Sequence, residues 1–177
     1  EIVRAWNEAL EVKAVALLDG LTPTAVTLTT AAADAALEGE ITAALASLQY
    51  LRGGTRFRDF FLQIDLYKKI IAAKDTTGRK LFPVLGATNS TGTVSGDFSD
   101  VMVGNLRARP AWALAPTGVV AASSYLFNRD DVHGWASVPR RLDFDYQVKS
   151  VFMGVWGYAA TANTRLSGVR EFVYDPA

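Results

Sequence analysis

The sequence contains no cysteine and a single histidine, His133. The lack of cysteine excludes a disulfide scaffold, a zinc ribbon and a thiol nucleophile, and one histidine excludes any site that needs two. No apolar run reaches the roughly 18 residues of a membrane-spanning helix, and Glu1 does not begin a signal peptide. We therefore expect no membrane segment. Because the chain does not begin with methionine, we also expect it to be a piece of a longer parent.

The net charge is zero, with 18 basic and 18 acidic residues. A general nucleic-acid-binding protein should be basic, so no sequence-specific binding to nucleic acid is expected. The two parts of the chain differ, however: residues 1–50 have a net charge of −5 and residues 51–177 a net charge of +5. This asymmetry is either a solvated helix face or complementarity between unlike surfaces of neighbouring copies, as head-to-tail rings require.

Half of the 177 residues are apolar, enough to bury a core. Apolar spacing predicts helices over 2–19, 31–52 and 66–74, the last with Asp65 as N-cap. Short strands are predicted at 26–29, 56–62, 79–82, 101–103, 111–114, 118–122, 124–127 and 166–174. Alternating residues over 142–158 predict one long strand, and the polar, glycine-bearing residues 84–100 predict a long loop.

One group of residues has the types that hydrolysis requires. His133 follows Asp130 and Asp131 in the sequence. Ser123 or Ser124 could complete a Ser–His–Asp triad, or the aspartates and the histidine could bind a metal. The G-x-S-x-G sequence of a nucleophile elbow is absent, and an aspartate near a histidine is common in turns. We therefore interpret His133 as part of a surface turn.

Other polar motifs lack the spacing or the neighbours that their chemistry needs. Asp97 and Asp100 do not have the spacing of a calcium loop. Residues 86–92 bear glycine but lack the G-K-[S/T] of a phosphate loop. Asp143 and Asp145 would lie on one face of a strand, but no second catalytic group is suggested nearby. We interpret all of them as turn or solvated residues.

Two basic pairs stand out, Arg107 with Arg109 and Arg140 with Arg141. Neither pair is interleaved with the stacking aromatic residues of a single-strand nucleic-acid site. Salt bridges between subunits or domains are the better interpretation. The sequence thus predicts no catalytic residue, no cofactor site and no metal site.

Four stretches, 60–82, 105–110, 140–158 and 169–174, carry a family resemblance. The chain resembles the major capsid proteins of tailed bacteriophages, the Hong Kong phage-type fold that encapsulins share. The first stretch resembles the family's strand, helix, K-D-x-x-G-R turn and strand. The second resembles a strand that returns to the sheet, and the last two resemble the long antiparallel strand of the peripheral domain with the closing strand.

The resemblance implies an α+β capsid-protein fold whose N-terminal arm and extended loop are missing from this chain. It implies an axial domain, a mixed sheet flanked by helices, from residues 21–126 and 165–177. A partial peripheral domain, with the end of a spine helix and long antiparallel strands, would comprise residues 1–20 and 127–164. Loop 84–100 is expected to point toward a ring axis.

In function, the resemblance implies a structural protein and not an enzyme. It implies rings of five and six copies that tile an icosahedral head around double-stranded DNA, assembled in the cytoplasm of the bacterial host and located in the virion. Partners would be copies of the chain and, as further candidates, scaffolding, portal or decoration proteins. The alternatives are an encapsulin-like compartment shell, or a small hydrolase or ligand-binding module that uses His133.

Some members of the family weld their subunits with an isopeptide bond between chains. They use an asparagine on the long strand and a catalytic glutamate seven residues later. The matching positions here are Ser150 and Gly157, so the resemblance implies noncovalent contacts at this pair. Without the arm and the extended loop, we expect the chain to be monomeric or weakly associated.

Overall fold

Three helices lie in the part of the chain that the computed structural model describes. They are α1 (Ile2–Gly20), α2 (Asp34–Gln49) and α3 (Ile64–Ala72). The predicted helix over 2–19 is confirmed, and α2 falls within the predicted 31–52. The described residues are 2–28, 34–50, 57–82, 84–85, 100–104, 106–114, 122–142 and 154–174.

The strands of the described residues form one large and two small sheets. They are β1 (Thr24–Leu28), β2 (Phe57–Leu62), β3 (Val84–Leu85), β4 (Asp100–Val103), β5 (Leu106–Pro110), β6 (Ala122–Asn128), β7 (Val132–Ala136), β8 (Arg140–Leu142), β9 (Gly154–Trp156), β10 (Ala159–Asn163) and β11 (Val169–Tyr174). The large sheet has seven strands in the order β1-β11-β6-β2-β5-β4-β3. Its β1–β11 and β2–β5 pairs are parallel and its other pairs antiparallel, so the predicted α+β class is confirmed.

One face of the seven-stranded sheet packs against α2 and α3. Side chains alternate between the faces of a strand, so Phe60 of β2 enters this core while Phe61 packs on the opposite face. The rings of Phe60 and Phe172 lie 5.0 Å apart between centroids. The same core contains Leu37 and Ile41 of α2, Leu66 and Ile70 of α3, and Leu126, Val101, Val103 and Ala108 of the sheet.

The other face of the seven-stranded sheet packs against the C-terminal half of α1. Val15 and Leu18 are buried there against Tyr125, Phe127 and Val169. The N-terminal part of α1 continues beyond this sheet and contacts β9 and β10. The helix therefore spans the seven-stranded sheet and the small antiparallel sheet formed by β7 and β10.

Helix α3 begins two residues before the predicted start, and Asp65 is not its N-cap. The cap is Gln63, whose side-chain oxygen accepts the backbone amides of Asp65 at 2.8 Å and Leu66 at 3.3 Å. The first amides of a helix have no intrahelical partner. Because the longer glutamine side chain reaches two of them, the helix begins at Ile64. It ends at Ala72, before the predicted Lys74.

Two short strand predictions are wrong. Residues 79–82 do not form a strand, and Lys80 makes only an isolated β-bridge to Lys74. The reason is a turn that the Asp75 carboxylate closes by accepting hydrogen bonds from the amides of Thr77 and Arg79, both at 2.8 Å. Residues 111–114 are not a strand either. The ladder with β2 uses 106–110, and a single 3-10 turn follows it at Trp112–Leu114.

The prediction of one continuous strand over 142–158 is also wrong. β8 pairs with β9 in antiparallel register, Arg140 opposite Trp156, so the chain reverses its direction between them. Gly157 and Tyr158 then separate β9 from β10. The closing strand begins at Val169, after a 3-10 turn at Leu166–Gly168, and not at Leu166.

The predicted loop 84–100 and strand 118–122 are described only at their ends. Val84 and Leu85 are not loop but form β3, which pairs with Asp100 and Val101 of β4. Residues 86–99 and 115–121 lie outside the described part of the chain, as do 143–153. Strand 124–127 is confirmed within β6.

Candidate assembly surface

The structure does not join the residues of the suggested triad. The buried hydroxyl of Ser124 accepts the backbone amide of Gln63 at 2.9 Å, and the hydroxyl of Ser123 donates to the Glu171 carboxylate. Both hydroxyls therefore serve the seven-stranded sheet. Neither has a hydrogen bond to His133 in the described contacts.

The prediction that His133 lies in a surface turn is wrong, because His133 lies in strand β7. The turn comes earlier, at residues 129–131, where Asn128 accepts the amide of Asp130 at 3.1 Å. Because that asparagine closes the turn, the chain is already extended at Val132. His133 stands opposite Ala162 in the β7–β10 ladder.

No group of three histidine, aspartate or glutamate side chains within the described ranges is arranged to hold a metal ion. Asp100 lies in β4, and Asp97 lies outside those ranges with 86–92, Asp143 and Asp145. Of the basic pairs, Arg107 is exposed on β5. The guanidinium of Arg140 lies 5.8 Å from the ring centre of Trp156, a cation–π geometry.

Exposed apolar side chains are concentrated on α1 and on the strands beside it. Tyr158 is 73 % exposed, Val138 81 % and Trp135 57 %, and Val3 and Val12 of α1 are also exposed. Contiguous exposed apolar patches mark sites of interaction with other molecules. We call Trp6 and Val12 of α1 together with Trp135, Val138 and Tyr158 the α1–β10 surface.

Small residues allow α1 to approach the β7–β10 sheet. A groove of about 210 Å³ between them is lined in part by Leu10 and Ala14 of α1 and by Gly134, Ala136 and Ala159. Trp135 also lines this groove. The rings of His133 and Trp135 stack with centroids 5.7 Å apart, so large rings lie beside the small residues of this sheet.

Trp6 packs closely against the backbone of Gly157. A Cβ atom added at Gly157 would lie 2.9 Å from Cζ2 of Trp6 and 2.8 Å from the Ser137 hydroxyl. Tyr158 fixes the segment because its amide donates to that hydroxyl and its carbonyl accepts the amide of Ser137, both at 2.8 Å. A carboxylate-bearing side chain at position 157 would therefore have to displace Trp6.

A second groove of about 650 Å³ lies between α1 and residues 157–159. Its lining includes Trp6, Ala9, Ala16, Tyr158 and Ala159 together with the charged residue Lys13. Small-molecule sites combine an apolar lining with several convergent polar groups. This groove has too few polar groups for that, and its chemistry suits an apolar segment of protein.

The C-terminal end of α1 is fixed to the seven-stranded sheet by polar contacts as well as by packing. The hydroxyl of Tyr125 donates to the Asp19 carboxylate at 2.9 Å. The pKa of Tyr125 is raised above its ordinary range, mainly because the phenol is buried and secondly because it lies against the Asp19 carboxylate. The phenol therefore stays protonated. The Glu11 carboxylate accepts the amide of Ala113 at 3.4 Å. The helix is thus a fixed platform for the exposed residues on it.

Comparison with known proteins gives matches in structure only. No family model matches the chain, and no curated protein matches it. The capsid of an empty GTA particle is similar with a TM-score of 0.60 and 15 % identity, covering 97 % of this chain and 64 % of that one. The chain has a capsid-protein fold. Chains from Mycobacterium phage Che8 (TM-score 0.57, 13 % identity, 95 % and 57 % covered) and Mycobacterium phage Ogopogo (0.56, 13 %, 94 % and 63 %) are similar too.

This likeness confirms the fold that the resemblance implied. The chain spans 57–64 % of the length of the three solved chains. In the part of the chain described here, no helix has both the length and the apolar character needed to cross a membrane.

Proposed function

We propose that the chain is part of a major capsid subunit, a structural protein that assembles with copies of itself into the icosahedral head of a bacteriophage. The observation that carries the proposal is the likeness in fold, over 97 % of this chain, to the capsid of an empty GTA particle. In the proposal, rings of five and six copies enclose double-stranded DNA. Catalysis is not part of the proposed role.

The α1–β10 surface is the proposed contact between copies. Its exposed aromatic and aliphatic side chains gain by leaving water, and the groove beside α1 has the chemistry of a protein contact. The occupant we propose is a second copy of the chain. Charge supports this choice, since residues 1–50 are net acidic and residues 51–177 net basic, and unlike surfaces attract in head-to-tail contacts.

The domain division remains a proposal. An axial domain would comprise residues 21–126 and 165–177, and a peripheral domain residues 1–20 and 127–164. The membership of the seven-stranded sheet supports the first, and the β7–β10 pairing supports the second. Loop 84–100 would point toward the ring axis.

Further partners and the site of assembly also belong to the proposal. Scaffolding, portal and decoration proteins would bind the assembled subunits, and assembly would take place in the cytoplasm of the bacterial host before the protein is found in the virion. An assembly of identical subunits repeats the same surface many times, and each of these proteins could bind such a repeated surface.

The test is assembly of the natural polypeptide that carries this chain, followed by electron microscopy and sedimentation. We expect closed shells from the unmodified protein and loss of most shells in Tyr158→Asp, because a carboxylate would be desolvated in the contact. The matched control is Tyr50→Asp, an exposed tyrosine away from the α1–β10 surface, which should still assemble.

Two results would contradict the proposal. Assembly of Tyr158→Asp at the unmodified level would exclude this surface as the contact. Shells that contain a protein cargo and no DNA would replace the phage head by an encapsulin-like compartment.

A further inference from the structure

A buried carboxylate, that of Asp131, lies where the chain passes between two sheets. The β6–β11 ladder and the β7–β10 ladder are separated by residues 128–131 on one side and residues 164–168 on the other. The chain enters the β7–β10 sheet through the first segment and leaves it through the second. Asp131 is 7 % exposed.

The side chain of Asp131 ties these two segments together. Its Oδ2 accepts from Nδ2 of Asn128 at 3.0 Å and from Nη2 of Arg165 at 2.9 Å. Asn128 is itself buried. Hydrogen bonds to a charged acceptor are stronger than neutral ones, and removing one partner of a buried charge leaves the other unsatisfied.

The backbone of Asp131 makes a second set of links between the same segments. Its carbonyl accepts the amide of Thr164 at 2.9 Å, the hydroxyl of Thr164 at 3.3 Å and Nδ2 of Asn163 at 3.2 Å. Side chain and backbone of one residue therefore bind both connections at the same point.

Gly168 completes the arrangement by leaving space for the carboxylate. A Cβ atom at this position would lie 2.6 Å from both Cβ and Cγ of Asp131. Contacts below about 3 Å between such atoms require a shift of one of them. The carboxylate thus rests directly against the backbone of the second segment.

We propose that Asp131 is the joint that fixes the orientation of the β7–β10 sheet relative to the seven-stranded sheet. Hinges are a few residues at the ends of elements, and here both chain connections meet at one residue. The competing link is α1, which packs through Leu18 on one sheet and through Trp6 beside the other. The inference concerns the chain itself and is independent of the proposed function.

The experiment measures a distance between the two sheets with spin labels. Because the chain has no cysteine, Lys68→Cys on α3 and Val138→Cys beside β7 give two unique labels at exposed positions. Electron–electron double resonance should give a narrow distance distribution for the unmodified chain. In Asp131→Asn, which keeps the size of the side chain, we expect it to shift and roughly double in width, because the two parts can rotate.

Gly168→Ala gives a second route to the same state. The added methyl group must push the Asp131 side chain away, so the distribution should broaden as in Asp131→Asn. In the double variant Asp131→Asn with Gly168→Ala, the two effects should be less than additive, because both act on one contact.

Two controls make the result specific. Asp75→Ala removes a carboxylate that organises a different turn and should leave the distance unchanged. Trp6→Ala loosens α1 and should also leave the mean distance unchanged. Circular dichroism establishes that each variant is folded. The proposal would be overturned if folded Asp131→Asn and Gly168→Ala gave the same distance distribution as the unmodified chain. It would also be overturned if only Trp6→Ala shifted the distance.

Discussion

The seven-stranded sheet and the β7–β10 sheet differ in whether their large apolar side chains are buried. In the first, Phe60, Phe172 and Leu126 are completely buried between the sheet and the helices. At the second, Trp135 of β7 and Tyr158, which directly precedes β10, are mostly exposed, and small residues face α1. The first region buries its apolar side chains against other parts of the same chain. The second leaves them available to another molecule.

This difference has an energetic meaning. Burying a large apolar side chain completely contributes about 1.5–3 kcal/mol. The seven-stranded region gains this on folding, whereas Trp135 and Tyr158 gain little until something covers them. A two-stranded antiparallel sheet is marginal on its own, so the β7–β10 sheet depends on α1 and, in the proposed assembly, on a second copy.

The largest expected effect is that of Phe60→Ala. Loss of the ring and the resulting cavity should lower the free energy of unfolding by about 3–5 kcal/mol, measured by denaturant titration. The comparison variant is Tyr158→Ala, which should change it by less than about 0.5 kcal/mol, as surface substitutions do. A large loss in Tyr158→Ala would mean that its region is stabilised within the chain, and the comparison would fail.

Gly157→Ala tests how α1 is held on the second region. The new methyl group would meet the Trp6 ring and the Ser137 hydroxyl, so we expect a loss of about 1–3 kcal/mol from overpacking. Trp6→Ala should relieve part of that loss in the double variant. Gly39→Ala, where an added Cβ meets nothing within 4 Å, is the control. A loss in Gly39→Ala as large as that in Gly157→Ala would remove the close contact as the cause.

The smallest effect concerns the Asp34–Lys69 ion pair, which links α2 to α3. Lys69 donates to Asp34 at 2.8 Å and the amide of Lys74 donates at 2.9 Å, and these bonds, in that order, hold the pKa of Asp34 below its ordinary value. The pair is partly exposed, so Asp34→Asn should cost less than about 1 kcal/mol at neutral pH.

The sign of the pH dependence follows from that lowered pKa. The contribution is fully present above the unfolded pKa of about 3.9 and is lost as the pH falls through the lower folded pKa. The stabilities of Asp34→Asn and the unmodified chain should therefore converge in strong acid. A difference that persists there would assign the effect to packing and not to charge.

The sequence correctly predicted the features that depend on the spacing of nearby apolar residues. The apolar steps Trp6, Leu10 and Leu17 indicated α1 correctly, and the class of fold followed from the mixture of such helices with short strands. Alternation over 142–158 gave a single strand because it cannot show that the chain reverses between β8 and β9. Likewise, the predicted surface turn included His133 because the sequence does not show that Asn128 closes the turn before Val132.

The α1–β10 surface was not predicted at all. Trp135, Val138 and Tyr158 have the residue types of a core, and only the three-dimensional structure shows that nothing in the described chain covers them. A signal was present: Trp135 stands between Gly134 and Ala136, and Tyr158 stands between Gly157 and Ala159, so their immediate neighbours offer little surface to bury them. Exposure is a property of packing, and the sequence does not contain it directly.

The central claim is that the α1–β10 surface is covered by a second copy on assembly. Hydroxyl-radical footprinting of assembled particles and of dissociated subunits tests it most directly, because both Trp135 and Tyr158 are reactive and exposed in the single chain. We predict strong modification of both in the dissociated subunit and marked protection in the particle. Equal modification of both residues in the two states would contradict the account.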